Sequence, residues 1–266
     1  MKKIFIIMLA LVLILTGCSG NSSKANESPE PSVSEMIIGT WVTAERNGES
    51  VPTNRKFALE FVSDTEAYMT ASFNSRPEIG PQWLDHMETE VSIDGNKVTL
   101  TTKLDGITSI GEYTVTSITD SEFTAEHKST VIAGGKEYTA GDEVPVHFVR
   151  ISDDLSEAIL GTWEGHCTSN DSVFDDGEDH RWEYKSDGTY YYYTTDGTNW
   201  SVSSNTLNEY FVAGNLLCTR WIDNGEDNRE WWEISIDGDR MNWTALRQNE
   251  DGSTFTATYE MTKVAE

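Results

Sequence analysis

The side chains best suited to proton transfer or metal ligation are five histidines: His86, His127, His147, His166 and His180. None stands four residues from another, or beside a cysteine or carboxylate at the spacing a zinc site needs. Ahead of His180, the acids Asp171, Asp175, Asp176, Glu178 and Asp179 offer hard oxygens of the kind calcium prefers. They lack the alternating Asp-x-Asp-x-Asp-Gly order of a calcium loop, so an exposed acidic hairpin loop is expected. Asp223-Asn224-Gly225-Glu226-Asp227 reads the same way, as an acidic turn. There is no Gly-x-Ser-x-Gly elbow, Ser-x-x-Lys pair or phosphate-cradling glycine loop. No catalytic residue, metal or cofactor is expected, and the chain reads as a binding protein, not an enzyme.

The stronger signal is aromatic. Seven of nine tryptophans (163, 182, 200, 221, 231, 232 and 243) fall in the second half, with Tyr184, Tyr190 to Tyr193, Tyr210 and Tyr259. Strand alternation puts Tyr190 with Tyr192 on one face and Tyr191 with Tyr193 on the other. Both faces of that strand are therefore aromatic. Three outcomes stay open: a rich core with a domain interface, an aromatic-lined cavity for an apolar or planar ligand, or an exposed stacking platform for sugar. The cavity walls would be Trp182, Tyr184, Tyr190, Tyr192, Trp200, Trp221 and Trp243.

Positioning these rings requires strands. Asp-Gly or Asn-Gly pairs at 187–188, 196–197, 224–225, 237–238 and 251–252 each sit between residues of high strand propensity, which marks tight hairpins. Asn47-Gly48, Asp94-Gly95, Asp105-Gly106 and Gly134-Gly135 punctuate the first half similarly. Phe255, Ala257, Tyr259 and Met261 alternate with polar residues, as in a strand buried on one side. No amphipathic helix longer than two or three turns is legible. The fold class predicted is all-β, with short antiparallel strands joined in sequence.

The chain also contains a duplication. Glu35-Met36-Ile37-Ile38-Gly39-Thr40-Trp41 recurs as Glu157-Ala158-Ile159-Leu160-Gly161-Thr162-Trp163. His147 to Ile151 and Glu260 to Val264 close the two copies with alternating strands carrying a cation. Domains at 35–152 and 153–266 follow, with a Ser/Asp-rich junction suited to capping one helical turn.

Ahead of the first copy, Lys2 and Lys3 precede an apolar run from Ile4 to Leu15, too short to span ~30 Å of hydrocarbon as a helix. Leu15-Thr16-Gly17-Cys18 resembles the bacterial lipobox. The resemblance implies a signal peptide over 1–17, cleavage before Cys18, and lipid attachment to its thiol. Two or more acyl chains hold a soluble domain stably on a bilayer. Residues 18–34, rich in Ser, Asn, Glu and Pro, read as the lipidated cysteine and a flexible tether. An extracytoplasmic protein anchored to the bacterial membrane is expected.

Net charge is −26, and −28 once Lys2 and Lys3 leave with the leader. That excludes nucleic acid as a partner, because phosphate recognition needs a basic surface. Cys167 and Cys218 lie about 50 residues apart, and an oxidising compartment permits their disulfide, which would contribute about 4 kcal/mol. Two buried separate thiols are the other reading, since the two strands fall on different walls.

Gly-x-Trp on a first strand, sequential hairpins and an Arg or Lys on the last strand together resemble bacterial lipocalin-like domains of surface lipoproteins. The resemblance covers most of residues 35–266. It implies two tandem up-and-down antiparallel β-barrels, each plugged by its tryptophan with the terminal cation stacked on the indole. Trp41 would pair with Arg150, and Trp163 with Lys263, as structural clamps. The second copy departs in having lysine where arginine is commoner. The function implied is binding of a small hydrophobic ligand in at least the second barrel. The alternative is a non-enzymatic surface module with solid barrels that binds protein or glycan.

Overall fold

The computed structural model describes residues 31–73, 82–139, 141–151, 153–168, 177–203, 206–249 and 251–265. The leader, Cys18 and the tether to residue 30 lie outside the described residues. So do Ser152 of the junction and Asp171, Asp175 and Asp176 of the acidic segment.

A single helical turn, α1 (Val33–Met36), opens the described chain. Ser32 caps it reciprocally with Glu35, whose carboxylate accepts from the Ser32 backbone N–H at 2.8 Å. The first sheet follows: β1 (Gly39–Arg46), β2 (Glu49–Ser50), β3 (Phe57–Phe61), β4 (Glu66–Phe73) and β5 (Gln82–Asp94). It continues with β6 (Lys97–Leu104), β7 (Ile107–Ile118), β8 (Glu122–Ala133), β9 (Lys136–Thr139) and β10 (Val144–Ile151). The second sheet comprises β11 (Gly161–Cys167), β12 (His180–Tyr184), β13 (Tyr190–Thr195), β14 (Trp200–Val202) and β15 (Thr206–Ala213). Its remaining strands are β16 (Leu216–Asp223), β17 (Glu226–Asp237), β18 (Arg240–Gln248) and β19 (Thr254–Lys263).

All pairings are antiparallel, and nearly all join neighbours in sequence. In the first sheet, β10 pairs with both β1 and β8, which closes β1, β3 to β8 and β10 into an eight-stranded barrel. Eight strands enclose a space their own side chains can fill. Leu59, Phe61, Val91, Val98, Leu100, Tyr113, Val115, Phe123 and Phe148 fill it here. The second sheet runs β14-β13-β12-β11-β19-β18-β17-β16-β15 and curls into a second barrel. Among the described residues its seam is bridged at one end, by Thr189 opposite Glu209 and by the Tyr210 N–H donating to the Gly188 carbonyl at 2.8 Å. Above that bridge, β14 and β15 are edge strands. The tandem up-and-down architecture read from the hairpin pairs is present, with the second barrel incompletely closed.

The duplicated segment builds the same plug twice. Ile37 and Ile159 are buried, and four residues on, each indole N–H donates to the isoleucine carbonyl at 2.6 Å. Trp41 and Trp163 are both 0% exposed. The Arg150 guanidinium lies 4.0 Å from the Trp41 ring and donates to the Met36 and Ile38 carbonyl oxygens. Lys263 Nζ lies 5.0 Å from the Trp163 ring. An ammonium lacks the planar fork that lets Arg150 stack and bond to two carbonyls at once.

The glycine two residues before each tryptophan has a physical reason. Gly39 and Gly161 sit at φ +123° and +110°, which side chains with a Cβ rarely adopt. A Cβ at Gly39 would also collide with Arg150 Nη1, whereas at Gly161 the nearest atom is Lys263 Cε at 3.1 Å. Gly39→Ala is expected to cost roughly 1–2 kcal/mol through strain and displacement of the stacked cation. Gly161→Ala should cost less, and urea denaturation of the two variants compares them. Equal costs would show that the backbone angle alone selects glycine.

Within one compact unit spanning Pro31–Glu266, the barrels meet where β1, β3, β10 and the 3-10 turn Thr53–Arg55 of the first pack on β15, β17 and β18 of the second. Val42, Ala58 and Ile151 pack against Ala213. Lys56 Nζ pairs with Glu233 at 2.8 Å. Thr53, fully buried, accepts from the Leu246 backbone N–H at 2.9 Å and donates to Glu233 at 3.2 Å.

Candidate functional site

Inward parity on the strands of the second barrel collects its rings. The inward positions are His180, Trp182 and Tyr184 on β12, Tyr190 and Tyr192 on β13, and Leu217, Thr219 and Trp221 on β16. On β17 they are Glu230, Trp232 and Ile234, followed by Trp243 on β18 and Tyr259 on β19. The registers set their heights: Trp182 faces Tyr192, Leu217 faces Trp232, Thr219 faces Glu230, and Trp243 faces Tyr259.

These side chains leave a half-open cavity of about 210 Å³. It is lined by His180, Trp182, Tyr190, Tyr192, Thr219, Trp221, Glu230, Trp232, Trp243 and Tyr259. Trp182, Tyr192 and Trp221 are partly exposed and form the rim, while Tyr190, Trp232, Trp243 and Tyr259 are buried. The rings form one connected network. Trp182 and Trp243 have centroids 4.7 Å apart, Trp232 and Trp243 5.4 Å, and Trp232 and Tyr259 5.5 Å. Edge-to-face and tilted pairs of this kind stiffen the wall, because each ring positions the next.

The polar groups are few and mostly buried. His180 Nδ1 and the Tyr192 hydroxyl are 2.7 Å apart. Glu230 accepts from the Trp232 indole N–H at 3.2 Å. Burial pushes the Glu230 carboxyl up from its ordinary pKa, while the nearby Arg247 charge and the Trp232 N–H oppose that shift. Burial likewise pushes the Tyr190 hydroxyl above its ordinary value. The Trp243 indole N–H is buried with no hydrogen-bond partner among the described residues.

Of the seven expected wall residues, five come together here: Trp182, Tyr190, Tyr192, Trp221 and Trp243. Tyr184 does not reach the cavity. It points inward but lower, where it packs on Tyr190, Tyr210 and Trp243 and is buried. Trp200 is outside the barrel. It pairs with Thr195, which shares the outward parity of Tyr191 and Tyr193, and the Arg181 guanidinium lies 4.3 Å from its ring. Sequence reasoning missed His180, Thr219, Glu230, Trp232 and Tyr259. For Tyr259 the signal was present, in the alternation of β19. For Trp232 it was ambiguous, because Trp231 beside it is equally apolar and only register assigns one ring to each face.

The disulfide alternative for Cys167 and Cys218 is corrected: the two are not joined. Cys167 is buried in the barrel interior, on β11. Cys218, on β16, points outward into a separate cluster with Leu216, Trp231 and Phe211. Three strands separate them in the sheet, and opposite parity turns their thiols to different sides of the wall.

His166 lies 3.4 Å from Asp179 on the outer surface, and Asp227 pairs with Arg220 and Arg229. Among the described residues, no three His, Cys, Asp or Glu side chains converge to hold a metal ion.

No family model matches the chain, and no curated protein matches it in sequence. Among solved structures, a Nitrosomonas europaea protein provisionally named AttH is 11% identical with a TM-score of 0.28, the match covering 88% of this chain and 98% of that one. A protein of unknown function from Nostoc punctiforme, of the DUF3598 family, is also 11% identical, with a TM-score of 0.22 and coverage of 86% and 97%. Neither likeness carries a functional assignment.

Proposed function

We propose that the second barrel binds a small ring-sized molecule, on a lipocalin-like protein held outside the cytoplasm by lipid on Cys18. The observation that carries the binding proposal is the aromatic cavity of about 210 Å³ inside that barrel. Its size is selective. A dry cavity of ~150 Å³ admits benzene, and drug-sized ligands occupy roughly 300 Å³ or more. A molecule of one or two rings fits between these limits, and an extended long-chain acyl group does not. Affinity comes from ring area removed from water, at roughly 25 cal/mol per Å². The buried Trp243 N–H and the Glu230 carboxyl add orientation.

Tryptophan fluorescence tests this directly, since Trp182, Trp221, Trp232 and Trp243 line the cavity. Indole or benzyl alcohol should change the emission saturably, while laurate should not. Thr219→Phe, which puts a ring into the space, should abolish the response. Absence of any saturable change with these probes would sink the proposal.

The anchoring proposal rests on Leu15-Thr16-Gly17-Cys18 and the polar tether behind it. Cys18→Ser is expected to move the protein from the membrane to the soluble fraction and to stop incorporation of labelled palmitate. A membrane-bound Cys18→Ser protein would overturn it.

A second reading has its own observation. On the outer face at the β13–β14 edge, Tyr191 is 42% exposed and Val202 54%, with Lys185 Nζ 3.8 Å from the Tyr191 ring. Among the described residues β14 pairs only with β13, and such an edge beside an exposed ring suits a protein or glycan partner. Tyr191→Ser would then weaken binding to that partner while leaving the fluorescence response to indole intact.

A further inference from the structure

We propose that the cavity of the second barrel selects organic ammonium cations over neutral molecules of the same shape. This rests on the binding reading above and names its ligand class.

The first argument is what the walls are made of. Among the described residues, every apolar residue lining the cavity is a Trp or Tyr ring, and no Leu, Ile, Val or Met lines it. The chain does not lack aliphatics, because the first barrel fills its interior with Leu59, Val91, Val98, Leu100 and Val115 among others. A neutral apolar guest gains from burial against either kind of wall. A cation gains more from ring faces, whose quadrupole presents negative potential, and several faces around one space form the cage that quaternary ammonium groups prefer.

The second argument is charge. Among the described residues, Glu230 is the only carboxylate lining the cavity, and no lysine or arginine lines it. Burial disfavours its ionised form and the nearby Arg247 charge favours it, so a cation entering the cavity beside this carboxyl would favour the ionised form further. A chain of net charge −26 also concentrates cations at its surface.

The third argument is that this wall already holds one cation. The Arg247 guanidinium lies 4.7 Å from the Trp232 ring, and its charge acts on Glu230. Arg247 is not among the lining residues. The Trp182, Trp243, Tyr192 and Tyr259 rings line the cavity itself.

Choline and its neutral isostere 3,3-dimethylbutan-1-ol have the same shape and differ in charge. Calorimetric titration of the full mature chain should find choline bound at least tenfold more tightly. Glu230→Gln should erase that preference, weakening choline at least tenfold more than it weakens 3,3-dimethylbutan-1-ol or indole. Trp182→Leu, at the partly exposed rim, serves if Glu230→Gln fails to fold, and should narrow the preference severalfold. Equal affinity for the two isosteres, or binding of indole with no binding of choline, would overturn the cation inference and leave the cavity reading standing. Failure of all three compounds to bind would remove both.

Discussion

Replacing Trp41 by alanine should lower folding stability by roughly 3–5 kcal/mol, the usual cost of deleting a fully buried large ring. The melting temperature should fall on the order of 10 °C for a chain of this size. Three losses add up at this position. The indole is completely buried and touches Phe123 at a centroid distance of 5.0 Å. Its N–H is the partner of the Ile37 carbonyl. Its face carries the Arg150 guanidinium, whose Nε has no partner of its own among the described residues. Trp163→Ala removes the same burial and the Ile159 bond, but a more distant lysine contact, so a somewhat smaller loss is expected. Trp163→Ala should also leave indole binding measurable at low temperature, because Trp163 does not line the cavity. Loss of binding with unchanged stability would show that the tryptophan contacts ligand and is not a plug.

The second large effect is acid sensitivity from His127. This histidine is buried on β8 and stacks on Tyr113, with ring centroids 4.4 Å apart. Burial, helped by the Arg46 charge, lowers its pKa from 6.5 to about 4. Above the unfolded pKa of 6.5, the ring is neutral in both states and contributes nothing to the pH dependence. As pH falls from 6.5 to about 4, the unfolded chain takes up a proton that the folded chain refuses, so stability drops. At 1.36 kcal/mol per pKa unit, the loss reached by pH 4 is roughly 3 kcal/mol. His127→Phe keeps the stacking and removes the titration. The stability gap between wild type and His127→Phe, measured by urea denaturation, should therefore shift by about that amount between pH 7 and pH 4. Parallel pH curves for the two proteins would show that His127 charges freely in the fold.

Much of this architecture is local in origin and was legible. A hairpin is specified by two turn residues and the alternation on either side, which is why Asp-Gly and Asn-Gly pairs located the strand junctions. The duplicated Gly-Thr-Trp was equally legible, because the indole bonds to a carbonyl only four residues away. The side of the wall that each ring faces was harder. Tyr190 and Tyr192 followed from alternation within one strand. Trp200 did not, because its three-residue strand takes its parity from β13 and not from its own neighbours.

The amino-acid sequence alone determined the strands, the turns, the two plugs and the abundance of rings in the second half, since each depends on residues close in the chain. The tertiary structure decided the rest. It closed one barrel and bridged the seam of the other at one end among the described residues, separated Cys167 from Cys218 by parity, and placed Glu230, alone among the described acids, in the cavity wall. Those outcomes depend on register between strands distant in sequence, where a slip of one residue exchanges the inner face for the outer.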